Sequence, residues 1–353
     1  MAEQPAEAVP RAARPAGQGA PRGGGWQRGR QGRPRATYAA LDLGTNNCRL
    51  LIARPAPGGF LVVDAFSRIV RLGEGLAGTG RLSEPAMDRA VAALAICAEK
   101  LRRRQVSLVR SVATEACRQA ANGRGFVERV QAETGIALEV ISAEQEARLA
   151  VSGCHAVMEP GEGPALVFDI GGGSTELILL DGAPAPRVLD WFSAPWGVVS
   201  LSEAEPHDGA DVAARRAAYA RMRARVAQAF APFAMRMTAA GGVGGRLLGT
   251  SGTVTTLASV HLGLPSYDRG AVDGLVVPAE AMRAISDRLA GLTVADRARI
   301  PCIGQERADL VVAGCAILDT ILDLWPAARL SVADRGIREG ILRSLMARDG
   351  HVW

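Results

Sequence analysis

Two matching segments of the chain each predict a strand, a turn of small residues and a second strand. "LDLGTNNCRLLI" (41–52) aligns without gaps with "FDIGGGSTELIL" (168–179), at a constant offset of 127 residues. Asp42 matches Asp169 and Gly44 matches Gly171, so each copy has an acid just before a glycine-containing turn. An internal repeat of this size predicts two related domains, each contributing a turn to a shared cleft. Chance similarity between two short hairpins is the alternative.

Strand and helix patterns alternate around the repeat. Helices are predicted at about 84–104, with Ser83 as N-cap, and from Ala143, where Ser142 and Gln145 resemble a capping box. Further patterns predict strands at "VSLVRSVA" (106–113), "IALEVI" (136–141) and "RLSVAD" (329–334), and helices at 279–291 and 306–324. This alternation indicates an α/β architecture.

Length and charge divide the chain into three parts. With 353 residues, 48% of them hydrophobic, the chain is long enough for about two domains, which we place at 36–160 and 161–353. Residues 1–35 contain seven arginines and two glutamates, and the remainder is balanced in charge. This Arg-, Gly- and Pro-rich tail is predicted to be disordered. It could contact a polyanion through its arginines and Trp26, or be a dispensable extension.

Several classes of protein are disfavoured by the composition. No apolar run is long enough for a membrane span, and no signal peptide is evident, so we expect a cytoplasmic protein without a membrane partner. The six cysteines form no CxxC pair, and the four histidines have no ligand spacing, which disfavours disulfides and zinc. We expect no specific nucleic acid partner, and we leave a homodimer open.

The second turn contains more glycines than a plain hairpin needs. Gly171, Gly172 and Gly173 are consecutive, and glycine lets backbone N–H groups approach a phosphate closely. The neighbouring polar residues of the two turns can add donors. They are Thr45, Asn46, Asn47, Ser174 and Thr175. We predict phosphate binding by both turns, with a tight structural hairpin as the alternative.

A series of motifs in order resembles the exopolyphosphatase/guanosine pentaphosphate phosphohydrolase (Ppx/GppA) family, within the actin-like ATPase superfamily. The motifs are "ALDLGTNNCRLLIA", "VATEACR", "VISAEQEARLAVSG", "VFDIGGGSTEL", "GTSGTV", "ERADLVVAGCAIL" and "ADRGIREG". The resemblance implies two ribonuclease-H-like domains that face a central cleft. It also implies removal of terminal phosphate from inorganic polyphosphate, or of the 5′ γ-phosphate of guanosine pentaphosphate.

The resemblance also suggests roles for individual residues. Glu146 matches the glutamate with which the family activates water, a general-base role. Arg118 and Arg307 match arginines near the phosphates, where the guanidinium fork suits paired oxygens. The loop of Ser251, Gly252 and Thr253 falls where the superfamily binds nucleotide, and can meet phosphate or purine. Glu115 is either a further cleft acid or the partner of Arg118.

Two acids at strand ends suggest a metal ion. Asp42 and Asp169 lie beside the predicted anion sites, where a carboxylate would repel phosphate unless a cation lay between them. Mg²⁺ takes a carboxylate together with phosphate oxygens, and Glu176 is expected on the same face as Ser174, as a third ligand or to orient water. The alternative is that each Asp accepts N–H bonds of its own turn.

These observations predict a metal-dependent phosphoanhydride hydrolase that releases terminal phosphate from inorganic polyphosphate. The alternatives are a guanosine pentaphosphate 5′-phosphohydrolase, an ATPase or kinase of the same superfamily, and a non-enzymatic polyanion-binding module.

Overall fold

Two β-sheets form the framework of the computed structural model, which describes residues 36–183, 186–239 and 245–351. The strands are β1 (Tyr38–Leu43), β2 (Asn47–Ala56), β3 (Gly59–Ile69), β4 (Leu108–Ala113), β5 (Glu139–Val140), β6 (Ala165–Ile170), β7 (Thr175–Leu180), β8 (Val188–Ala194), β9 (Arg246–Thr250), β10 (Val276–Pro278) and β11 (Arg329–Ala333). The predicted tail, residues 1–35, lies outside the described residues.

The two sheets share one topology. The first has the order β3-β2-β1-β4-β5, and the second has the order β8-β7-β6-β9-β11, with β10 added at the β11 edge. In each sheet the first three strands are antiparallel neighbours, and the next two pair in parallel. Asp42 pairs with Arg49 across β1 and β2, and Asp169 pairs with Glu176 across β6 and β7. Asp42 and Asp169 are 127 residues apart, and so are Arg49 and Glu176. The repeat in the sequence therefore corresponds to a duplicated sheet. The predicted α/β class is confirmed, whereas the division at residue 160 stays a prediction.

The helices flank these sheets. They are α1 (Leu76–Thr79), α2 (Glu84–Arg103), α3 (Glu115–Gln119), α4 (Gly123–Thr134), α5 (Ala143–Cys154), α6 (Val198–Ala204), α7 (Val212–Ala239), α8 (Gly252–His261), α9 (Arg269–Val272), α10 (Ala279–Gly291), α11 (Val294–Ala298), α12 (Gly304–Arg307), α13 (Val311–Leu324) and α14 (Ile337–Arg348), with a 3₁₀ turn at His155–Val157. In the described ranges, none of these helices is long and apolar enough to cross a membrane.

Two helix starts with a side-chain cap were predicted correctly. The Ser83 hydroxyl accepts from the Ala86 N–H at 3.4 Å, which begins α2. At α5 the Ser142 hydroxyl accepts from the Gln145 N–H at 3.2 Å, and the Gln145 side chain accepts from the Ser142 N–H at 3.0 Å. Each cap satisfies N–H groups that have no partner inside the helix, which is why such pairs mark helix starts in a sequence.

Three local predictions differ from the structure. The helix predicted over 306–324 is two helices, α12 and α13, because the chain turns after Arg307. The strand predicted over 136–141 is only β5, the short outermost strand of its sheet. The 28-residue α7 was not predicted, because its arginines and alanines form no clear apolar stripe and Pro232 interrupts the pattern.

The last helix of each half packs on the sheet of the other half. Ala147 and Val151 of α5 join a buried cluster with residues of the second sheet, including Ile178. Ile341 and Leu345 of α14 join residues of the first sheet in the same way. This exchange couples the two sheets, and Gly153 near the end of α5 lies against Gly336 at the start of α14.

Candidate active site

Residues from both sheets line one pocket. Fourteen of the predicted site residues line it: Asp42, Gly44, Thr45, Asn46, Asn47, Glu146, Asp169, Gly171, Gly172, Glu176, Ser251, Gly252, Thr253 and Arg307. Four predicted site residues are not among the lining residues: Arg118, Gly173, Ser174 and Thr175. The pocket is completed by Arg49, Thr114, Thr256 and the apolar side chains of Ile170, Val198, Leu310, Val311 and Ile337.

The two glycine-containing turns have the same internal geometry and pack against each other. The Gly44 N–H donates to the Asn47 carbonyl at 2.8 Å, and the Gly171 N–H donates to the Ser174 carbonyl at 2.9 Å. A Cβ placed on Gly172 would lie 2.9 Å from the Thr45 Cβ, which is too close for any larger residue. The extra glycines therefore permit contact between the turns, besides any approach to phosphate.

Glu146 lies in the first turn of α5, where the capping box places it, and only 7% of the residue is exposed. Its carboxylate accepts from both Nη atoms of Arg118 at 3.2 Å. Arg118 also donates through Nε to Glu115 at 2.9 Å and through Nη1 to the Ile141 carbonyl at 2.7 Å. Burial raises the pKa of Glu146 well above its usual range, and the charge of Glu176 adds to this, while Arg118 opposes it.

Three further acids, all lining the pocket, have raised pKa values. Burial raises the pKa of Asp169 to about 6, which the charge of Asp42 reinforces and Arg49 opposes. Burial raises the pKa of Glu176 to about 7, reinforced by Asp169, and also raises the pKa of Asp42. Among the described residues, Asp42 Oδ1 and Asn46 Oδ1 are buried acceptors without a hydrogen-bond donor. A positive group would be stabilised in such a pocket, because it would offset both the burial and the mutual repulsion.

The hydroxyl groups after the second glycine turn have internal partners. Ser174 and Ser193 donate to Glu176 Oε1 at 2.7 and 2.9 Å, and Thr175 donates to the Trp196 carbonyl at 2.6 Å. Ser174 and Ser193 thus orient the Glu176 carboxylate within the sheet. Direct donation from Ser174 or Thr175 to phosphate stays a prediction.

The loop before α8 has a strained backbone. Ser251 has a φ of 126°, unusual for a residue other than glycine, and its hydroxyl accepts from the Thr253 N–H at 3.2 Å. Arg307 Nη1 donates to Thr256 Oγ1 at 2.7 Å and to the Gly252 carbonyl at 3.4 Å. The loop and this arginine form one wall of the pocket.

Sequence reasoning missed Arg49, which lines the pocket from β2. The signal was present in the repeat, because Arg49 aligns with Glu176 and is a charged residue between buried neighbours. The apolar residues of the pocket were missed for another reason: nothing local distinguishes them from ordinary core residues.

Two copies of one sheet topology, each with a glycine-containing turn at a common pocket, define the actin-like ATPase fold class. The comparisons with known proteins lead further. The sequence matches the Ppx/GppA phosphatase family over residues 51–349, and the chain belongs to this family. It is a hydrolase of phosphoric anhydrides.

Individual relatives cover nearly the same length. "Exopolyphosphatase 2" of Mycobacterium tuberculosis is 32% identical over 324 residues, spanning 87% of this chain and 98% of the relative. The structure of the Aquifex aeolicus Ppx/GppA family member has a TM-score of 0.73 at 29% identity, with 90% of this chain and all of that one covered. An exopolyphosphatase structure from Cytophaga hutchinsonii has a TM-score of 0.77 at 25% identity, covering 88% of this chain and 98% of that one.

Proposed function

We propose that this protein is a divalent-cation-dependent exopolyphosphatase that releases the terminal phosphate of inorganic polyphosphate. The observation that carries the proposal is the pocket itself, in which both glycine turns, a buried glutamate and two arginines line one space. The relative named exopolyphosphatase in M. tuberculosis, which aligns over 98% of its length, supports the choice of substrate.

Glu146 is the general base of the proposed reaction. The oxygen of water attacks the terminal phosphorus, a water proton passes to Glu146, and the bond to the bridging oxygen breaks. The products are phosphate and a chain shorter by one unit. The backbone N–H groups of the turns and Arg307 bind the phosphoryl oxygens, because phosphoryl transfer depends mainly on positioning and charge stabilisation. Arg118, with Glu115 beside it, orients the carboxylate of Glu146.

The residues present fit a divalent cation. Asp42 Oδ1 is a buried oxygen without a donor among the described residues, and Asp42 and Asp169 would hold the ion, with Glu176 beside them to orient water. In the described ranges no group of three or more Asp, Glu, His or Cys is arranged to hold a metal by itself. Mg²⁺ does not require such a group, because it binds through one or two carboxylates, waters and substrate phosphates. When bound, the ion would neutralise charge on the phosphates.

The test compares phosphate release from inorganic polyphosphate, guanosine pentaphosphate and ATP, in chelator-treated protein with and without added Mg²⁺. We expect release from polyphosphate to dominate and to require the cation. If phosphate is released chiefly from guanosine pentaphosphate or ATP, that compound and not polyphosphate is the substrate. Full activity without divalent cation would remove the metal from the proposal.

A variant tests the cation site directly. Asp169→Asn should raise the Mg²⁺ concentration needed for half-maximal activity, because one anionic ligand is lost. Asp190→Asn is the matched control, since Asp190 lies on β8 and pairs with Arg236 at the surface. Equal Mg²⁺ requirements in both variants would contradict the role of Asp169.

A further inference from the structure

We propose that helix α6, through the Ser200 hydroxyl, fixes the peptide orientation of the second glycine turn and thereby makes the N–H groups of the turn available to phosphate. Ser200 is a positioning residue, because it acts through the turn and is not among the residues that line the pocket. The inference rests on the proposed function and deepens it, since it identifies the part of the fold that prepares the turn for phosphate.

The backbone at the start of α6 is bonded to the carbonyl groups of the turn. The Val198 N–H donates to the Gly171 carbonyl at 2.9 Å, and the Val199 N–H donates to the Gly172 carbonyl at 2.8 Å. The first N–H groups of a helix have no acceptor inside the helix, and here the turn supplies the acceptors. The start of α6 is therefore occupied by the turn and holds its carbonyl groups on one side.

The Ser200 side chain completes this attachment. Its hydroxyl accepts from the Gly197 N–H at 2.9 Å and donates to the Gly173 carbonyl at 3.1 Å. A Cβ on Gly197 would lie 2.4 Å from the Gly172 carbonyl carbon, so the two backbones are in contact. One hydroxyl group thus caps α6 and also holds the last glycine carbonyl of the turn.

The orientation of the carbonyl groups determines that of the N–H groups. The described chain has no cis peptide bond, and in a planar trans peptide a carbonyl and the N–H of the next residue point in opposite directions. The N–H groups of Gly172, Gly173 and Ser174 therefore point away from the donors of α6. Within the described ranges these three N–H groups have no hydrogen-bond acceptor, and Gly172 lines the pocket. Successive free N–H groups of this kind form a concave binding site for an anion.

Removal of the Ser200 hydroxyl should release this constraint. The Gly173 carbonyl would lose its donor, and the peptide groups of consecutive glycines rotate easily because glycine has few steric restrictions. A rotated peptide would present a carbonyl oxygen in place of an N–H group, so that repulsion of a phosphate oxygen would replace attraction. The glycines permit the two turns to touch, and α6 keeps their peptide groups in one orientation.

The test measures the binding of orthophosphate to the full chain with Mg²⁺ by titration calorimetry. Ser200→Ala should weaken this binding by about 10-fold, the effect expected when an acceptor loses its donor. The kcat/KM for polyphosphate should fall by a similar factor. The Mg²⁺ concentration for half-maximal activity should be unchanged, because no described residue of α6 bonds to Asp42, Asp169 or Glu176.

Ser202→Ala is the matched control, because Ser202 lies on the same helix and its hydroxyl has no hydrogen-bond partner among the described residues. This variant should bind orthophosphate as the unmodified protein does. Ser200→Thr retains the hydroxyl and should restore the affinity, whereas Ser200→Val has the same shape without the hydroxyl and should not. The threonine and valine variants give the same comparison if Ser200→Ala folds poorly.

A role of Ser200 in stability alone predicts a lower free energy of unfolding with normal affinity for orthophosphate, and this result would overturn the proposal. Equal affinities in Ser200→Thr and Ser200→Val would overturn it as well. The proposed function has a separate readout. A protein that releases no phosphate from polyphosphate, yet loses orthophosphate affinity only when the Ser200 hydroxyl is removed, would overturn the proposed function and leave the positioning role in place.

Discussion

Two glutamates two positions apart on α5 show how strongly environment decides the chemistry of a side chain. Glu144 has a side chain that is 46% exposed and pairs with Arg148 at 2.7 Å. Glu146 is buried, bonded to Arg118, and lines the pocket. A buried carboxylate with a raised pKa can accept a proton from water near neutral pH, whereas an exposed, paired one serves mainly as surface charge.

Glu146→Gln should lower kcat by about 10²- to 10⁴-fold, the range for a lost general base, with little change in the affinity for polyphosphate. The measurement is steady-state phosphate release. Glu144→Gln removes the same charge from the same helix and should retain full activity. Near-normal turnover in Glu146→Gln would show that another group activates the water.

Glu176 should make the stability of the metal-free protein depend on pH. Burial raises its pKa from 4.5 to about 7, so between these values the folded protein binds more protons than the unfolded chain. The free energy of unfolding therefore falls as the pH rises through this window. Glu176→Gln should reduce this fall, to which the other buried acids of the pocket also contribute, and should stabilise the protein at pH 8 by up to about 3 kcal/mol.

Denaturant unfolding in a chelating buffer at pH 5 and pH 8 measures this effect. Glu144→Gln is again the control, and should keep the pH dependence of the unmodified protein. If the free energy of unfolding of Glu176→Gln depends on pH as strongly as that of the unmodified protein, the dependence comes from another buried acid.

Glycines fix the crossing of α5 and α14, the two helices that exchange sheets. A Cβ on Gly153 would lie 1.9 Å from the Gly336 carbonyl oxygen, and a Cβ on Gly340 would lie 2.1 Å from the Leu149 carbonyl oxygen. The backbones are therefore in contact, with no side chain between them. This contact sets the position of Glu146 in α5 relative to the first sheet.

Gly340→Ala should destabilise the protein by about 1–3 kcal/mol, because the added methyl group must push the helices apart. Its activity should fall as well, since α5 carries Glu146. Gly125→Ala is the control. Gly125 lies in α4 with nothing within 4 Å of an added Cβ, so this change should stabilise the protein by about 0.5–1 kcal/mol. Thermal unfolding of both variants measures these changes in stability. A melting temperature of Gly340→Ala equal to that of the unmodified protein would show that the helices accommodate the methyl group without loss of stability.

Contacts between the two halves also form next to Asn46 and Arg307, which line the pocket. Arg71, whose φ is 47°, donates to Asp309 at 2.6 and 3.1 Å and to the Glu306 carbonyl at 3.2 Å. The Arg71 N–H donates to the Asn46 carbonyl at 3.1 Å. This ion pair therefore connects the first turn with the segment that carries Arg307, and its main effect should be on alignment, because it is partly exposed.

Asp309→Asn should lower kcat/KM for polyphosphate several-fold while changing the free energy of unfolding by less than about 1 kcal/mol. Asp287→Asn is the control, because it removes a comparable ion pair between Asp287 and Arg216, and neither of these residues lines the pocket. This variant should have the kcat/KM of the unmodified protein. The comparison uses initial rates and denaturant unfolding for each variant. A kcat/KM equal to that of the control would show that the halves align without this pair.

Much of the site could be predicted because its signals are local. The two turns, the acids before them and the capping box before Glu146 lie within short segments, whose chemistry depends on residue type and spacing. The repeat also predicted one feature of the tertiary structure, since two copies of a hairpin indicate two copies of a sheet. Arg49 shows the limit of this reasoning, because its alignment with Glu176 is visible in the sequence but its approach to Gly252 is not.

The amino-acid sequence by itself determined the α/β class, the duplicated hairpins, the starts of α2 and α5, and the residues at both turns, because each depends on patterns along a short stretch of chain. Only the tertiary structure decided that α5 and α14 exchange sheets, that Arg118 bonds to Glu146, and that Ser174 donates to Glu176. These contacts join residues through packing and backbone geometry. Several alternative partners of the same chemical type exist elsewhere in the chain, and only the folded backbone brings one of them within hydrogen-bond distance.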